Sequence, residues 1–337
     1  MTVLVTGGGG FLGGHLVDLL VKRGDDVRVL AAPEEDVGRL SEVGVEVFRG
    51  DLRDSSSLSA AVEGSEYVFH CAARTGPWGK MADYRDVNVG GLRALLETAL
   101  RARVKRLVHV SSIAVHGTDV RGTADETAPL KGGPDPYSAT KTEGERVIQR
   151  MIRDHDAPVT IVRPGLVYGP RDAHAFARFA GLIEQGRMPI IGAGHNHLPL
   201  IYVGDVAEGI LAAAKTPEAR GRAYLLVSGR PVTQLEYLSA IAAELGVAAP
   251  RIHVPYHAAL ALAASAEALG HLFGMGEPPP VMRFGIRQIG GENRFLGDRA
   301  RIELGFSPRV SLVDGVRQGV AWYRGQAPRR TEAIVAA

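Results

Sequence analysis

The sequence is poor in cysteine, since its 337 residues contain only Cys71. A single cysteine excludes an internal disulfide and cannot by itself form a thiolate metal site. This usage suits a reducing compartment, so we predict a cytoplasmic protein. Cys71 follows a predicted strand, where a small buried residue is a more common role than a nucleophile.

Long apolar runs are also lacking, and no segment predicts a membrane span. The most apolar segment, residues 258–273, is interrupted by Ser265, Glu267 and His271, whereas a span needs about 18 uninterrupted apolar residues. We interpret this segment as a helix that covers an apolar pocket, with peripheral membrane contact as a weaker alternative. Residues 1–5 begin directly with a strand pattern, so we expect no signal peptide.

Neither sign of charge is in large excess. Lysine and arginine number 39 against 37 aspartates and glutamates, with no dense basic run, which disfavours a nucleic-acid partner.

The histidine pair His195 and His197 has no third ligand nearby in the sequence, so we expect no metal site. A composition of 45% hydrophobic and 23% charged residues is ordinary for a globular chain of one large or two modest domains.

A glycine-rich turn follows the first predicted strand. Residues 6–14 read Thr-Gly-Gly-Gly-Gly-Phe-Leu-Gly-Gly, and an apolar helical pattern continues from there. In this context the backbone amides at a helix N-terminus can bind a pyrophosphate. Two registers fit, Gly7-x-x-Gly10-x-x-Gly13 and Gly8-x-Gly10-x-x-Gly13. We predict a dinucleotide site here, with a tight structural turn as the alternative.

The end of the second predicted strand, residues 27–30, bears on the choice of cofactor. An acidic residue there would bind the ribose of NAD, and an arginine would bind the 2′-phosphate of NADP. Ala31 and Ala32 stand there instead. The acidic run at 34–36 would repel a 2′-phosphate and favours NAD, whereas Arg28 or Arg39 folding inward would favour NADP.

Strand and helix patterns alternate through the first half of the chain. This alternation predicts an α/β fold with a Rossmann-type doubly wound parallel sheet. Ligands bind such sheets at the carboxyl ends of the strands. The residues predicted at those ends are Gly7, Asp51, Ala72, Ser112 and Pro164.

Two further residues of this half can serve the site or the fold. Asp51 could bind the adenine amino group or cap the helix predicted at 55–62. Asn88 lies in the middle of the helix predicted at 81–103, where an amide is unfavourable. We therefore expect its side chain to bond to a neighbouring loop.

Tyr137, Lys141 and Ser112 form the predicted catalytic group. A tyrosine and a lysine four residues apart share one face of a helix, so the ammonium can lower the pKa of the phenol. Ser112 ends a predicted strand and could bind the same substrate oxygen. A solvated helix face is the alternative for the tyrosine and lysine taken alone.

The regular alternation of strand and helix patterns ends after Pro164, and there we predict a change of domain. We assign residues 1–170 to a dinucleotide-binding domain, to which 198–228 return. The smaller C-terminal substrate-binding part comprises 171–197 and 229–325, and 326–337 form a tail.

These motifs resemble the extended short-chain dehydrogenase/reductase family, also called the NAD-dependent epimerase/dehydratase family. The resemblance covers nearly the whole chain and includes Arg163-Pro164, Tyr168-Gly169-Pro170 and Tyr202-Val203-Gly204-Asp205. It implies Ser112, Tyr137 and Lys141 as catalytic residues and NAD as cofactor, with NADP open. It implies cofactor contacts from Gly7, Gly10, Phe11, Leu12, Asp51, Leu52, Ala72, Ala73, Ser111, Tyr137, Lys141, Pro164 and Leu166.

Single residues separate the reactions of the family. Its dehydratases place an Asp-Glu pair after the catalytic Ser or Thr, but Ile113 and Ala114 follow Ser112. Its nucleotide-sugar epimerases carry an asparagine and an arginine where this chain has Leu166 and Leu198. A diphosphate would therefore lack its usual cationic partner.

The resemblance is greatest to the 3β-hydroxysteroid dehydrogenase-like branch. It implies an oxidoreductase that interconverts a secondary alcohol and a ketone on an apolar substrate, either sterol-like or a β-keto or β-hydroxy acyl compound. A nucleotide-sugar 4-epimerase with retained NAD and a non-catalytic dinucleotide-binding protein are the alternatives. The family commonly forms homodimers, which here would use the helices predicted at 81–103 and 137–154.

Overall fold

The computed structural model describes residues 1–120 and 122–334. Within them, seven parallel strands form the main sheet, in the order β12-β7-β5-β4-β1-β2-β3. Its strands are β1 (Thr2–Thr6), β2 (Asp26–Ala31), β3 (Glu46–Arg49), β4 (Tyr67–His70), β5 (Arg106–Val110), β7 (Val159–Pro164) and β12 (Ala223–Leu226). The strand order reverses between β1 and β4, so a crevice opens at their carboxyl ends. The predicted doubly wound sheet is confirmed.

Helices cover both faces of this sheet. Leu16, Val17 and Leu20 pack on one face, whereas Leu92, Leu95 and Ile148 pack on the other, and all are buried. The helices of the first half are α1 (Phe11–Lys22), α2 (Gly38–Glu42), α3 (Ser55–Val62), α4 (Met81–Arg85), α5 (Leu92–Arg101) and α6 (Pro136–His155).

The remaining elements build a second apolar cluster beside the sheet, around Tyr168, Phe176 and Tyr237. Its helices and those that follow are α7 (Ala175–Glu184), α8 (Val203–Lys215), α9 (Gln234–Leu245), α10 (Tyr256–Leu272), α11 (Arg283–Gly290), α12 (Asp298–Leu304) and α13 (Leu312–Ile334). Short paired strands join the parts: β6 (Gly122–Ala124), β8 (Leu166–Tyr168), β9 (Ile190–Ile191), β10 (His197–Leu198), β11 (Leu200–Tyr202), β13 (Val232–Thr233), β14 (His253–Val254) and β15 (Asn293–Phe295).

Strand β12 and helix α8 come late in the chain and lie against the first half. β12 extends the main sheet beside β7, and α8 packs on α1. Helix α12 also packs on β12 and α8, through Ala300 and a hydrogen bond from the Tyr224 hydroxyl to Glu303 (2.7 Å). The exact domain boundaries stay a prediction.

The structure corrects two predictions about helices. The helix predicted at 81–103 is broken by one turn of π-helix at Asp86–Gly91. Such turns leave the regular hydrogen-bond ladder and often occur at functional sites. The final helix, predicted from the sequence at 310–324, continues to Ile334, and residues 335–337 of the assigned tail lie outside the described part of the chain.

Candidate active site

A cavity of about 680 Å³ opens at the carboxyl edge of the main sheet. Loops after β1, β2, β3, β4, β5 and β7 contribute to its wall, because the carboxyl ends of parallel strands meet at one edge. Thirteen predicted site residues line it: Gly7, Gly10, Phe11, Leu12, Asp51, Leu52, Ala72, Ala73, Ser111, Ser112, Tyr137, Lys141 and Pro164.

The glycine turn passes too close to its neighbours for larger residues. Gly7 has φ +71°, and a Cβ atom there would lie 2.8 Å from the Ala72 backbone. A Cβ atom on Gly13 would lie 2.0 Å from the Gly7 carbonyl oxygen. The turn leads directly into α1, and Gly10, Phe11 and Leu12 at the N-terminus of this helix line the cavity. A narrow backbone turn at a helix N-terminus fits a dinucleotide pyrophosphate.

The wall beside the glycine turn carries a carboxylate. Glu35 lines the cavity, and its Oε2 accepts a hydrogen bond from the Ala32 amide (3.1 Å). A Cβ atom on Gly9 would lie 2.3 Å from Glu35 Oε1, which places the carboxylate against the turn. Arg28 pairs with Glu46 (3.0 Å) and Arg39 with Asp18, and neither lines the cavity. The inward arginine that would favour NADP is therefore not seen at either position.

Asp51 lies on the cavity wall, but it does not cap the following helix. Asp54 does so, accepting hydrogen bonds from the Ser56 and Ser57 amides (3.0 and 3.2 Å). Asp51 instead pairs with Arg53, and a hydrogen bond from that guanidinium lowers the pKa of the Asp51 carboxyl. This leaves Asp51 ionised at the cavity edge.

Ser112, Tyr137 and Lys141 meet on the opposite side of the cavity. Asp135 caps α6 by accepting from the Ser138 amide (2.8 Å), and Pro136 occupies its first turn, so Tyr137 and Lys141 are held in helical register. Burial raises the pKa of Tyr137, while a hydrogen bond with Ser112 acts to lower it. Ser112 Oγ also accepts from the Ala114 amide (3.1 Å).

Lys141 is buried beside the ends of β4 and β5. Its Nζ donates to the Val110 carbonyl (2.8 Å), and burial lowers its pKa to about 8. The predicted lowering of the tyrosine pKa by Lys141 is not seen, because desolvation dominates at Tyr137.

Burial raises the pKa of the Cys71 thiol to about 12, so this cysteine stays protonated near neutral pH.

A buried ion pair supports the predicted catalytic residues from behind. Glu145 lies one helical turn beyond Lys141 and bonds to Arg163 through two contacts (2.9 and 2.6 Å). Both side chains are almost fully buried. Glu145 also accepts from the Ser111 hydroxyl (2.6 Å). A buried charge pair needs such additional hydrogen bonds to offset desolvation, and here those bonds join α6, β5 and β7.

His116 belongs to the same network. Arg163 donates to its Nε2 (3.2 Å), so Nδ1 carries the proton and faces the Pro129 carbonyl (3.3 Å). Burial lowers the pKa of His116, which keeps the ring neutral. His116 is thus a buried, neutral histidine whose two ring nitrogens both contact protein groups.

Asn88 holds the loop after β4, as predicted. Its Oδ1 accepts from the Arg74 amide (2.7 Å), and its Nδ2 donates to the Arg74 carbonyl and to Thr140 Oγ1 (both 3.0 Å). The side chain is 6% exposed and sits in the π-helical turn. One buried amide therefore connects the cavity wall to the helix that carries Tyr137.

An aromatic group from the C-terminal half reaches Tyr137. The rings of Phe284 in α11 and Tyr137 form an edge contact at 6.5 Å. Trp78, in the loop after β4, stacks on His271 of α10 (4.2 Å) and donates from Nε1 to the Met275 carbonyl (3.1 Å). Helices α10 and α11 thus flank the same side of the cavity, next to apolar and aromatic groups.

The set of residues that line the cavity differs from the predicted set at Leu166 and at further positions. Leu166, a predicted cofactor contact, lies in β8 opposite Leu200 and packs with the second apolar cluster, while its neighbour Val167 lines the cavity. Residues that sequence reasoning missed are Arg74, Thr75, Val87, Arg171, Ala173 and His174. The Tyr-Gly-Pro motif directly before Arg171 was the available signal for that segment.

Neither a metal site nor a membrane span is found in the described chain. In residues 1–120 and 122–334 no group of three His, Cys, Asp or Glu side chains could hold a metal ion. His197 pairs instead with Glu292 (2.8 Å). None of the helices described is long and apolar enough to cross a membrane.

The doubly wound sheet, the glycine turn and the Ser-Tyr-Lys group together define a class, the dinucleotide-dependent short-chain dehydrogenases/reductases. Residues 3–226 match the model of the NAD dependent epimerase/dehydratase family. The chain belongs to this family, the extended type of that class, and it is an NAD(P)-dependent enzyme. The resemblance inferred from the motifs is confirmed.

Individual relatives support this assignment over nearly the full chain. A 2-alkyl-3-oxoalkanoate reductase of Stenotrophomonas maltophilia is 34% identical, covering 94% of this chain and 98% of the relative. A 3beta-hydroxysteroid-dehydrogenase/decarboxylase of Arabidopsis thaliana is 30% identical, covering 94% and 61%. The solved Thermus thermophilus UDP-glucose 4-epimerase complex with NAD is 28% identical, covers 96% and 99%, and superposes with a TM-score of 0.75.

Proposed function

We propose that this protein is an NAD-dependent oxidoreductase that interconverts a ketone and a secondary alcohol on an apolar substrate, either a 2-alkyl-3-oxoalkanoate-like acid or a sterol. The observation that carries the proposal is one cavity with the glycine turn on one side and Ser112, Tyr137 and Lys141 on the other. The reductase and hydroxysteroid dehydrogenase relatives support the substrate class. Phe284, which contacts the cavity-lining Tyr137, adds an aromatic group near this side of the cavity.

The chain's own groups bind and orient the substrate and move one proton. Ser112 donates to the substrate oxygen and places it against Tyr137, and in the reductive direction the Tyr137 hydroxyl gives its proton to that oxygen. When bound in the cavity, NADH would supply the hydride for the carbonyl carbon. Lys141 stands one turn from Tyr137, and its Nζ donates to the Val110 carbonyl (2.8 Å) at the end of β5, beside the site of proton transfer. Glu145 and Arg163 hold α6 and β7 in place behind these groups.

The first prediction concerns Tyr137→Phe. This variant keeps the ring but loses the proton, so we expect kcat for NADH-dependent ketone reduction to fall by about 10²–10⁴-fold. Binding of NADH, measured by fluorescence titration, should stay within about twofold, since the glycine turn is untouched. Reduction of a 2-alkyl-3-oxoalkanoate or a 3-oxosteroid is followed at 340 nm in the usual absorbance assay.

Tyr67→Phe is the matched control, because Tyr67 begins β4 at the opposite edge of the sheet. It should reduce the ketone at the wild-type rate. Equal kcat values for wild type and Tyr137→Phe would contradict the proposal.

An epimerase would use the same three residues without net consumption of NADH. Leu198 is 2% exposed and packs against protein, and so supplies no charge for a diphosphate. Conversion of a UDP-sugar without added cofactor would establish the epimerase instead. Dinucleotide binding without turnover of any alcohol, ketone or sugar nucleotide would indicate a non-catalytic binding protein.

We also propose a cytoplasmic homodimer. The single cysteine supports a reducing compartment. Helices α5 and α6 pack side by side on one face of the sheet, where two copies could join them into a four-helix contact. Light scattering after size-exclusion chromatography measures the mass, and a monomer at all concentrations would refute the dimer.

A further inference from the structure

The structure assigns a second surface to this protein: the outer face of α10 with the turn after it, which we propose docks on a lipid bilayer beside the entrance of the active site. We call this surface the α10 face, and its large residues are Leu262, Leu269, Leu272, Phe273 and Met275. The inference rests in part on the proposed function, because it takes an apolar substrate as given.

Helix α10 has its side chains arranged in the reverse of the usual pattern for a surface helix. The residues it buries are small or polar: Ala259, Ala263, Glu267 and Gly270. Three of its four leucines, Leu262, Leu269 and Leu272, are 53–76% exposed, as is Phe273, while Leu260 is half-buried. A surface helix normally turns its leucines inward. Large apolar groups clustered outward mark a surface that something else covers.

The face also lacks charge. Residues 256–276 contain no lysine or arginine, and their one acid is Glu267. Glu267 is 7% exposed, and it accepts from both the amide and Nε of Arg283 (each 2.6 Å), so its charge is turned inward and compensated. An uncharged outer face meets no electrostatic barrier on entering the acyl boundary of a bilayer.

The charged residues that flank the face are mostly basic. Arg251 precedes it and Arg287 follows it, Glu277 is the exposed acid between them, and Arg283 is paired with Glu267 and adds no net charge. An apolar strip bordered by cations is complementary to a membrane surface that carries anionic headgroups. A protein partner would need no such border.

The face continues into the wall of the candidate active site. Gly270 packs on Trp78, whose loop starts at the cavity-lining Ala72 and Ala73, and α11 packs on α10 and brings Phe284 to Tyr137. The α10 face therefore lies next to elements that contact Tyr137 and the loop after β4.

A second copy of the chain is a poorer occupant, because the area is too small. Helix α10 has 17 residues, which gives a strip about 25 Å long and about 10 Å wide. Stable dimers bury about 800 Å² on each partner. Such interfaces use about 20–30 residues on each side, far more than the five exposed apolar residues of the α10 face, which suffice to insert into a bilayer.

Vesicle sedimentation tests the proposal with the full chain. Sucrose-loaded vesicles of phosphatidylcholine, with and without phosphatidylglycerol, are mixed with wild type, Leu272→Glu/Phe273→Glu and Ile302→Glu/Val313→Glu. Ile302 and Val313 are 71% and 51% exposed and lie on α12 and α13, away from α10. We expect wild type and the Ile302/Val313 variant to bind, more strongly to anionic vesicles. The Leu272/Phe273 variant should lose at least about tenfold in partition coefficient.

Three results would overturn the proposal: no binding by wild type, an equal loss in both variants, or a concentration-dependent dimer abolished by Leu272→Glu/Phe273→Glu. Thermal melting checks that each variant is folded, and Leu262→Ser/Leu269→Ser serves if the first pair is not. The binding assay contains no substrate. Vesicle binding without ketone reduction would therefore refute the proposed function alone, and reduction without vesicle binding would refute the docking surface alone.

Discussion

At the scale of single residues, Glu35 is placed to discriminate between cofactors. Its carboxylate lies on the cavity wall against the glycine turn, four residues beyond the strand end where an acid is usual. A negative charge there repels a 2′-phosphate. The sequence suggested this acidic run but could not say which of its three acids faces inward, because that depends on how the loop folds.

We predict that Glu35→Gln narrows the preference for NADH over NADPH. Loss of the carboxylate charge should tighten NADPH binding by about tenfold, roughly 1.4 kcal/mol, and change NADH binding less. Glu34→Gln is the control, since Glu34 is exposed and does not line the cavity. Dissociation constants for both cofactors come from fluorescence titration. If the ratio of the NADPH and NADH dissociation constants is the same in Glu35→Gln as in wild type, another group sets the cofactor preference.

The lowered pKa of the buried Lys141 predicts that the stability of the cofactor-free protein depends on pH. Burial lowers its pKa to about 8 from 10.5, so between these values the unfolded chain binds more protons than the folded one. Stability must then rise with pH across that window. Below pH 8 the folded state bears the full cost of the buried charge, about 3 kcal/mol.

Lys141→Met removes that cost. We expect its stability advantage over wild type to shrink as pH rises from 8 to 10.5, measured by urea unfolding at several pH values. Lys105→Met is the control. Glu66 raises the pKa of Lys105, so the stability difference between this variant and wild type should change with pH in the opposite direction. A pH-independent difference between wild type and Lys141→Met would mean that Lys141 is not the titrating group.

At the scale of elements, the π-helical turn Asp86–Gly91 joins two parts of the site. The extra residue in the turn directs Asn88 toward the loop after β4 and toward Thr140 at once. A Cβ atom on Gly91 would lie 2.7 Å from Leu52 Cβ, so a larger residue could not pack at this point. The turn therefore sets the distance between the cavity wall and α6.

We predict that Asn88→Ala destabilises the fold by about 1–3 kcal/mol, because it leaves buried partners at Arg74 and Thr140 unbonded. It should also lower kcat/KM for ketone reduction, since the cavity wall loses its anchor. Asn88→Asp keeps the acceptor for the Arg74 amide but loses both donated bonds. Because its carboxylate would also be buried against the Arg74 carbonyl, we expect this variant to be less stable than Asn88→Ala. If both variants keep wild-type kcat/KM, Asn88 serves the fold only.

Elements with strong local signals could be predicted from the sequence, whereas those set by tertiary contacts could not. The glycine turn, the alternation of strands and helices, and Tyr137-x-x-x-Lys141 are local patterns, and the structure brings them to one cavity. The break in the helix at 86–91 depends on Arg74 and Thr140, which are distant in sequence. Burial of Tyr137 and Lys141 was equally invisible, and it reversed the expected effect on the tyrosine pKa.

At the scale of the whole molecule, elements from two halves of the chain contribute to the surroundings of Tyr137. The glycine turn, Glu35 and Ala72 belong to the sheet half, while α10 and α11 come from the C-terminal half. The two meet where Phe284 touches Tyr137. This arrangement lets the substrate range vary with α10 and α11 while the sheet half stays the same.

Phe284→Ala tests this division directly. The half-buried ring contacts Tyr137 (6.5 Å), and we expect its loss to raise KM for an apolar ketone by up to about tenfold, the scale of one lost apolar contact. The dissociation constant of NADH should hold within about twofold, because Phe284 does not line the cavity beside the glycine turn. Phe179→Ala removes an aromatic ring from the same half that contacts Tyr237 instead (6.4 Å), so it should lower thermal stability and leave KM unchanged. Equal KM values for Phe284→Ala and wild type would place the substrate away from α11 and leave the aromatic contact with a purely structural role.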